Sequence, residues 1–209
     1  MKKTSAPGSR PRGRPREFDR EAALARAMEV FWRYGYEGAS VADLTQAMGI
    51  TAPSLYTAFH SKEALYREAL ARYQTEHGST AIGFLEEPKI RTALALVLKE
   101  SAKRFTAPAH PAGCMVSTAV LSCAEENQPV AEHVAHLRTK TLGLFQARFE
   151  RAIAEGELPK TLDAAELARF YGAIVQGMSV QARDGASEQE LLGIVELALG
   201  RLPLETGTL

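Results

Sequence analysis

The sequence predicts an all-α fold, on three observations. Apolar residues recur every three or four positions along most of the chain, and the alternation of a half-buried strand is scarce. Alanine and leucine, both strong helix formers, are abundant. The apolar runs start at Ser, Thr or Asp, which can cap a helix, and stop at Gly or Pro. At 209 residues, 45% apolar and 24% charged, the chain is long enough for one large domain or two small ones.

The formal net charge of zero hides an asymmetry. Residues 1–62 hold 10 basic and 6 acidic residues, while the other 147 hold 15 and 19. A polyanion would therefore meet the N-terminal part. Residues 1–16, MKKTSAPGSRPRGRPR, are rich in Pro, Gly and Ser and carry no acid. Such a stretch can bury no apolar surface and is expected to be a disordered basic arm. Its Arg12-Gly13-Arg14-Pro15 resembles the core of the AT-hook, which lays arginines along a narrow A·T-rich minor groove. Arg12, Arg14 and Arg16 read equally as a solvated tail touching phosphates.

Asp19 can cap a first helix that runs to about Tyr34. Leu24, Ala27, Met28 and Phe31 make its inner stripe, and Trp32, Tyr34 and Tyr36 are expected to staple it to the next two helices. Gly35 and Gly38 end it. From Ser40 to Tyr66 the chain reads SVADLTQAMGITAPSLYTAFHSKEALY. Ser40 and Asp43 can form a capping box, and Gly49 stands where a left-handed backbone ends a short helix. Thr51 caps a second helix with Pro53 in its first turn, and Ser61 caps a third. Two short helices around a tight glycine turn form a helix-turn-helix, whose second helix can enter a DNA major groove.

Leu55 and Phe59 of that second helix face inward. Ala52, Pro53, Ser54 and Thr57 face outward, a small and nearly uncharged surface that can sit deep in a groove. It has no Arg or Asn for a bidentate base contact. Affinity is then expected from phosphates, through Ser40, Thr51, Tyr56, His60 and Lys62. Tyr56 also reads as half-buried core, Ser40 and Thr51 as caps only, and His60 as a solvated turn residue.

The run from Phe18 to Tyr73 resembles the DNA-binding domain of the tetracycline-repressor (TetR) family of bacterial regulators. The resemblance rests on Ala27, Phe31, Gly35-Tyr36, Ser40-Val41, Leu44, Met48-Gly49-Ile50, Leu55-Tyr56, Phe59 and Lys62-Glu63-x-Leu65. Thr45 departs from it, standing where such motifs usually carry Ala. The resemblance implies backbone contacts by Tyr56 and Lys62, a homodimer, and a double-stranded, palindromic DNA operator.

The helix opening at Lys62 is expected to reach His77 or beyond, with a helix end and a loop over 78–89. Ile90 to Phe105, a short apolar helix from Ala112 to Ala124, Pro129 to about Glu155, Asp163 to Arg183 and Glu188 to Leu202 follow. That makes about nine helices. The expected plan is the arm at 1–16, a three-helix DNA-binding domain at 17–66, and a larger ligand-binding and dimerisation domain at 67–209. The last two helices carry more apolar surface than one face needs. Ile194 and Leu197 lie off the main stripe, and Gly172, Ala173, Gly177 and Ala182 allow close helix approach. The run IVQGMSVQARDGAS, with Gly113-Cys114 earlier, resembles one subgroup of the same family.

The second half is expected to enclose an apolar pocket for an unidentified small-molecule effector. Its candidate lining is Tyr73, Leu98, Phe105, Cys114, Met115, Phe145, Phe149, Phe170, Ile174 and Met178, each also readable as plain core. Cys114 follows a Pro/Gly loop and offers a second reading, a thiol sensor of oxidants or electrophiles. A third reading is a helical adaptor without DNA binding. No catalytic motif, cofactor motif or standard metal-ligand spacing is found. No apolar run is long enough to span a membrane, no apolar h-region follows the basic N-terminus to make it a signal peptide, and two cysteines make no disulfide framework, so the expected compartment is the cytoplasm.

Overall fold

The computed structural model describes residues 19–203, and among these every regular element is helical. The arginines of the arm lie outside the described residues. Helix α1 (Arg20–Gly38) is capped by Asp19, whose side chain accepts from the Ala22 amide. Gly35 interrupts it with φ 73° and ψ 178°, close to the expected end, and one further turn carries the chain to Gly38. Helices α2 (Val41–Met48) and α3 (Ala52–Phe59) meet at Gly49, in the left-handed region. The capping box forms as expected. The Asp43 amide donates to Ser40 Oγ, while the Ser40 amide and hydroxyl donate to Asp43 Oδ2. Those two bonds hold the exposed Asp43 carboxyl below its usual range. Thr45 keeps its hydroxyl on its own helix, donating to the Val41 and Ala42 carbonyls, so the departure from Ala leaves no unpaired polar group.

Helix α4 (Lys62–Tyr73) starts at Ser61, whose Oγ accepts from the Ala64 amide. The expected continuation past His77 is not a simple α-helix. A π-helical turn at Gln74–Gly78 leads into α5 (Ser79–Gly83) and a 3-10 turn at Phe84–Glu86, where a helix end and a loop were expected. Then come α6 (Ile90–Phe105), α7 (Gln128–Ala154), α8 (Ala164–Arg183) and α9 (Glu188–Gly200). α7 packs along α8, α6 against α8 and α9, and α1 against α2 and α4.

One expected helix is absent. Residues 112–124 form turns, not the apolar helix that their composition suggested. Tertiary hydrogen bonds replace the helical ladder. The Cys114 amide donates to Ser179 Oγ at 2.7 Å, and the Val116 and Ala119 carbonyls accept from Arg138 Nη1 at 3.3 and 2.9 Å. Gly113 takes φ +76°, and a Cβ there would stand 2.7 Å from the Ser179 carbonyl oxygen.

Two apolar cores result. The first joins α1 to α4 with Met115, Val116 and Ala119 and with Val130, Val134 and Leu137 of α7, so it does not stop at residue 66. The second joins α6, the later part of α7, α8 and α9. Cys114 packs against both. Leu44, Leu55, Phe59, Leu65 and Tyr66 are fully buried in the first core. Each of the four wholly apolar ones, Leu44, Leu55, Phe59 and Leu65, stabilises by about 1.5–3 kcal/mol relative to exposure. Arg20 closes this core from outside: its guanidinium lies over the Phe59 ring at 4.4 Å and pairs with Glu68 at 2.8 Å.

Gly113→Ala should lower the unfolding free energy by about 3 kcal/mol in urea titration, because left-handed strain and a clash add. Gly156 has the same φ of +76° with nothing within 4 Å of a Cβ. Gly156→Ala should therefore lower it by only about 1 kcal/mol.

Candidate nucleic-acid interface and ligand cavity

The outer face of α3 is held by one cap and two short-range hydroxyl contacts. Thr51 accepts from the Ser54 amide at 3.3 Å, and its hydroxyl meets Ser54 Oγ at 2.9 Å. Thr57 Oγ1 donates to the Pro53 carbonyl. Ser40, Thr51, Ala52, Pro53, Ser54, Thr57 and His60 are exposed together, and Tyr56 is 47% exposed beside them. His60 has φ 67°, which turns the chain from α3 into Ser61. Lys62 is half-buried, with Nζ 4.5 Å from the centre of the Tyr36 ring. Burial pushes its amine down from the usual range, with Glu37 opposing. This face presents methyls, hydroxyls and a phenol, and no carboxylate. Such a surface fits against a polyanion, and helix N-termini themselves favour phosphate.

A second feature lies between α4, α6, α7 and α8. A cavity of about 260 Å³ is walled by Tyr73, Gln74, His77 and Ile82 on one side and by Phe105, Arg138, Leu142, Phe145 and Val175 on others. The turns after Pro108 add His110, Gly113, Cys114, Val116 and Ser117. Of the residues expected to line a pocket, Tyr73, Phe105, Cys114 and Phe145 do so. Leu98, Met115, Phe149 and Met178 are instead buried in the cores, and Ile174 is half-buried against the second one. Phe170 points away, 49% exposed on the outer side of α8.

Sequence reading missed the aromatic end of this cavity. The Trp32 ring ties α1 to Tyr73 of α4 and to the turns after Pro108, where a staple to the next two helices was expected. It reaches across to Tyr73, His77 and His110, with ring centres 4.8, 5.0 and 4.4 Å away. Its indole Nε1 donates to the Gly113 carbonyl at 3.1 Å. Tyr34, expected in the same staple, is exposed. Arg138 was missed too. It sits four residues after Val134 and one after Leu137, an arginine at the edge of an apolar stripe, which is the one signal that could have found it. Cys114 Sγ accepts from the Val116 and Ser117 amides at 3.4 Å each. Burial, then Cys114, pushes the Tyr73 phenol well up. Among the described residues no cluster of three or more His, Cys, Asp or Glu side chains could hold a metal ion.

The outer face of α8 and α9 is apolar. Phe170, Val180 (45%) and Leu197 (75%) are exposed, with Ala173 exposed and Gly177 and Ile194 half-buried among them. Gly172 serves a different contact: a Cβ there would meet Leu142 of α7, inside the protomer.

Residues 23–69 match the family described as bacterial regulatory proteins, tetR family, and residues 91–191 match the tetracyclin repressor-like C-terminal domain. The HTH-type transcriptional repressor ComR of Escherichia coli (strain K12) is 38% identical over 197 residues, 92% of this chain and 92% of that protein. This chain belongs to the TetR family of bacterial transcriptional regulators. The repressor BdcR of the same organism is 30% identical, over 91% of this chain and 92% of its own length. A cysteine-substituted form of the TetR family regulator CifR, solved with 26-bp double-strand operator DNA, matches at 46% identity and a TM-score of 0.87. That likeness covers 91% of this chain and all of the other. Among the described residues of this family member, no helix is long and apolar enough to cross a membrane.

His77 gives the cavity a pH response. Burial, then His110 and Arg104, lowers its pKa, with Glu76 opposing. His133 on α7 shifts the same way, by burial first. A depressed folded pKa contributes stability that is present above the unfolded value, about 6.5, and is lost as pH falls through the folded one. The urea midpoint should therefore drop from pH 7 to pH 5. His77→Gln should shrink that drop, and an unchanged drop would place the sensitivity elsewhere.

Proposed function

We propose that this family member is a dimeric cytoplasmic repressor, and not an enzyme. It holds a palindromic operator with two α3 faces and releases it when a small molecule enters the cavity. The observation that carries this reading is the path of α4. It starts beside the exposed face of α3, at Ser61 and Lys62, and ends at Tyr73 in the cavity wall. A molecule that changes the position of Tyr73 therefore acts on the helix that sets α3. It shifts the equilibrium only through its preference for the conformation that does not bind DNA. Support comes also from CifR, whose structure holds operator DNA, and from the repressors ComR and BdcR.

Dimerisation is assigned to the outer face of α8 and α9. Phe170, Ala173, Gly177 and Val180 follow each other at three- and four-residue intervals, so they line one side of α8. With Ile194 and Leu197 they form the half of a four-helix interface that a second copy completes. The assigned DNA contacts are Ser40, Thr51, Ala52, Pro53, Ser54, Tyr56, Thr57, His60 and Lys62, with the arginines of the arm adding a sequence-tolerant electrostatic share.

In vitro selection from random duplexes should recover an inverted repeat. Tyr56→Ala and Lys62→Ala should each weaken that complex about tenfold, close to 1.4 kcal/mol, with melting temperatures held. Deleting residues 1–16 should flatten the dependence of affinity on salt. Recovery of no enriched duplex, or unaltered affinity in both point variants, would remove this assignment. For the interface, Val180→Glu combined with Leu197→Glu should convert the dimer to a folded monomer by sedimentation velocity.

A further inference from the structure

The cavity wall carries cations and no carboxylate. Arg104, Arg138 and Lys140 line it with His77 and His110, and neither Asp nor Glu is among the lining residues. Arg104 already has a counter-charge, since its Nε lies 2.7 Å from Glu100 Oε1. Its Nη1 donates to the His77 carbonyl at 3.1 Å. Arg138 differs. None of the ion pairs among the described residues includes it. Its Nη1 gives its hydrogens to the carbonyls of Val116 and Ala119. The Nε and Nη2 edge, the one that grips a carboxylate side-on, is left over.

The surroundings sharpen the contrast. Arg138 is half-buried, and burial lowers its pKa, with the Tyr66 phenol opposing. The Tyr66 hydroxyl is itself fully buried without a hydrogen-bond partner. A half-buried guanidinium without an anion carries a desolvation cost that an incoming anion would offset. Lys140 adds an exposed cation at the same cavity, in no ion pair among the described residues. The remaining walls are apolar or aromatic, notably Ile82, Phe105, Leu142 and Phe145. At about 260 Å³ the space lies below the usual range for small-molecule sites, so the occupant is one ring or a short chain.

We propose that the cavity takes a small organic carboxylate, its charge gripped by the Nε and Nη2 edge of Arg138 and its apolar body seated among Ile82, Phe105, Leu142 and Phe145. The proposal rests on the reading of this cavity as the effector site. It also supplies a coupling. Arg138 ties residues 116–119 to α7, and Val116 and Ala119 pack in the same core as α1 and α4. A carboxylate that draws the guanidinium toward itself competes with the two carbonyls and loosens the segment on which the DNA-reading helices rest.

The test uses the full chain and calorimetric titration. Benzoate, phenylacetate and hexanoate are each compared with their neutral primary amides. At least one carboxylate should bind tenfold or more tightly than its amide. Arg138→Gln should abolish that preference, and Arg138→Lys should keep part of it, with both variants checked by thermal melting. The wild-type ratio of acid to amide reads the claim even where a variant fails to fold. Amides binding as well as the acids, no binding by any of the six, or a preference that survives in folded Arg138→Gln would overturn the proposal. Release of operator DNA is scored separately. A carboxylate that binds through Arg138 and leaves the DNA complex intact supports the anion site and sinks the effector role. A neutral compound that releases DNA from the cavity keeps the effector role and sinks the anion site.

Discussion

Where residues 112–119 cross α8, backbone meets backbone with no room for a side chain. A Cβ on Gly113 would stand 2.7 Å from the Ser179 carbonyl and 2.8 Å from Arg183 Cγ. Only glycine accepts both that closeness and the positive φ at little cost. The approach lets one irregular segment hold three helices. Its Cys114 amide is tied to Ser179 of α8, its Gly113 carbonyl to Trp32 of α1, and its Val116 and Ala119 carbonyls to Arg138 of α7. Arg183 closes the ring by donating to the Trp32 and Arg33 carbonyls. The segment thereby packs Met115, Val116 and Ala119 into the first core while Gly113, Cys114, Val116 and Ser117 form one wall of the cavity.

The same arrangement explains how a small movement could travel. α4 carries Tyr66 and Tyr73 in one core with Trp32 and Met115. Beyond Tyr73 the ladder loosens into a π-helical turn that contains His77. Such turns are tolerated where a side chain must be offered to a site, and the bond pattern there is already irregular. A ligand that prefers one position of Tyr73 and His77 over another acts where the helix changes its hydrogen-bond pattern. To reverse a 1:99 population it needs about 5.5 kcal/mol of preference for one of the two conformations.

The helix-turn-helix was legible because its determinants are local. Ser40 and Asp43, Gly49, Thr51 and Ser61 lie within one turn of the ends that they cap, and each does in the fold what its position suggested. The cavity was legible only in part. Tyr73, Phe105, Cys114 and Phe145 lie in its wall, but so do Trp32, His77 and His110, which no periodic pattern marks, and Arg138, signalled only by its place at the edge of the α7 stripe. These come from α1, the π-helical turn, the turns after Pro108, and α7. Their meeting depends on the path of residues 112–124, whose apolar composition reads as helix until tertiary partners for its backbone groups are known. Phe170 shows the reverse error: a large apolar residue assigned to the interior stands on the open side of α8.

The sparse chemistry of α3 bears on where specificity can reside. Its hydroxyls are engaged within the helix, Thr51 with Ser54 and Thr57 with the Pro53 carbonyl. It offers no long cationic or amide side chain to a base edge. Discrimination among DNA sequences then depends on how two such faces are spaced across successive turns of the duplex and on the shape of the groove between them. In the proposed dimer that spacing is set by α8, because its outer face carries the interface. α8 is also the helix against which Gly113 is wedged. A change in the cavity wall need not alter any atom of α3 to abolish binding. In the proposed dimer, a small tilt between α1 and α8, transmitted through the contacts of Trp32 with Gly113 and Arg183, would move both reading faces out of register at once.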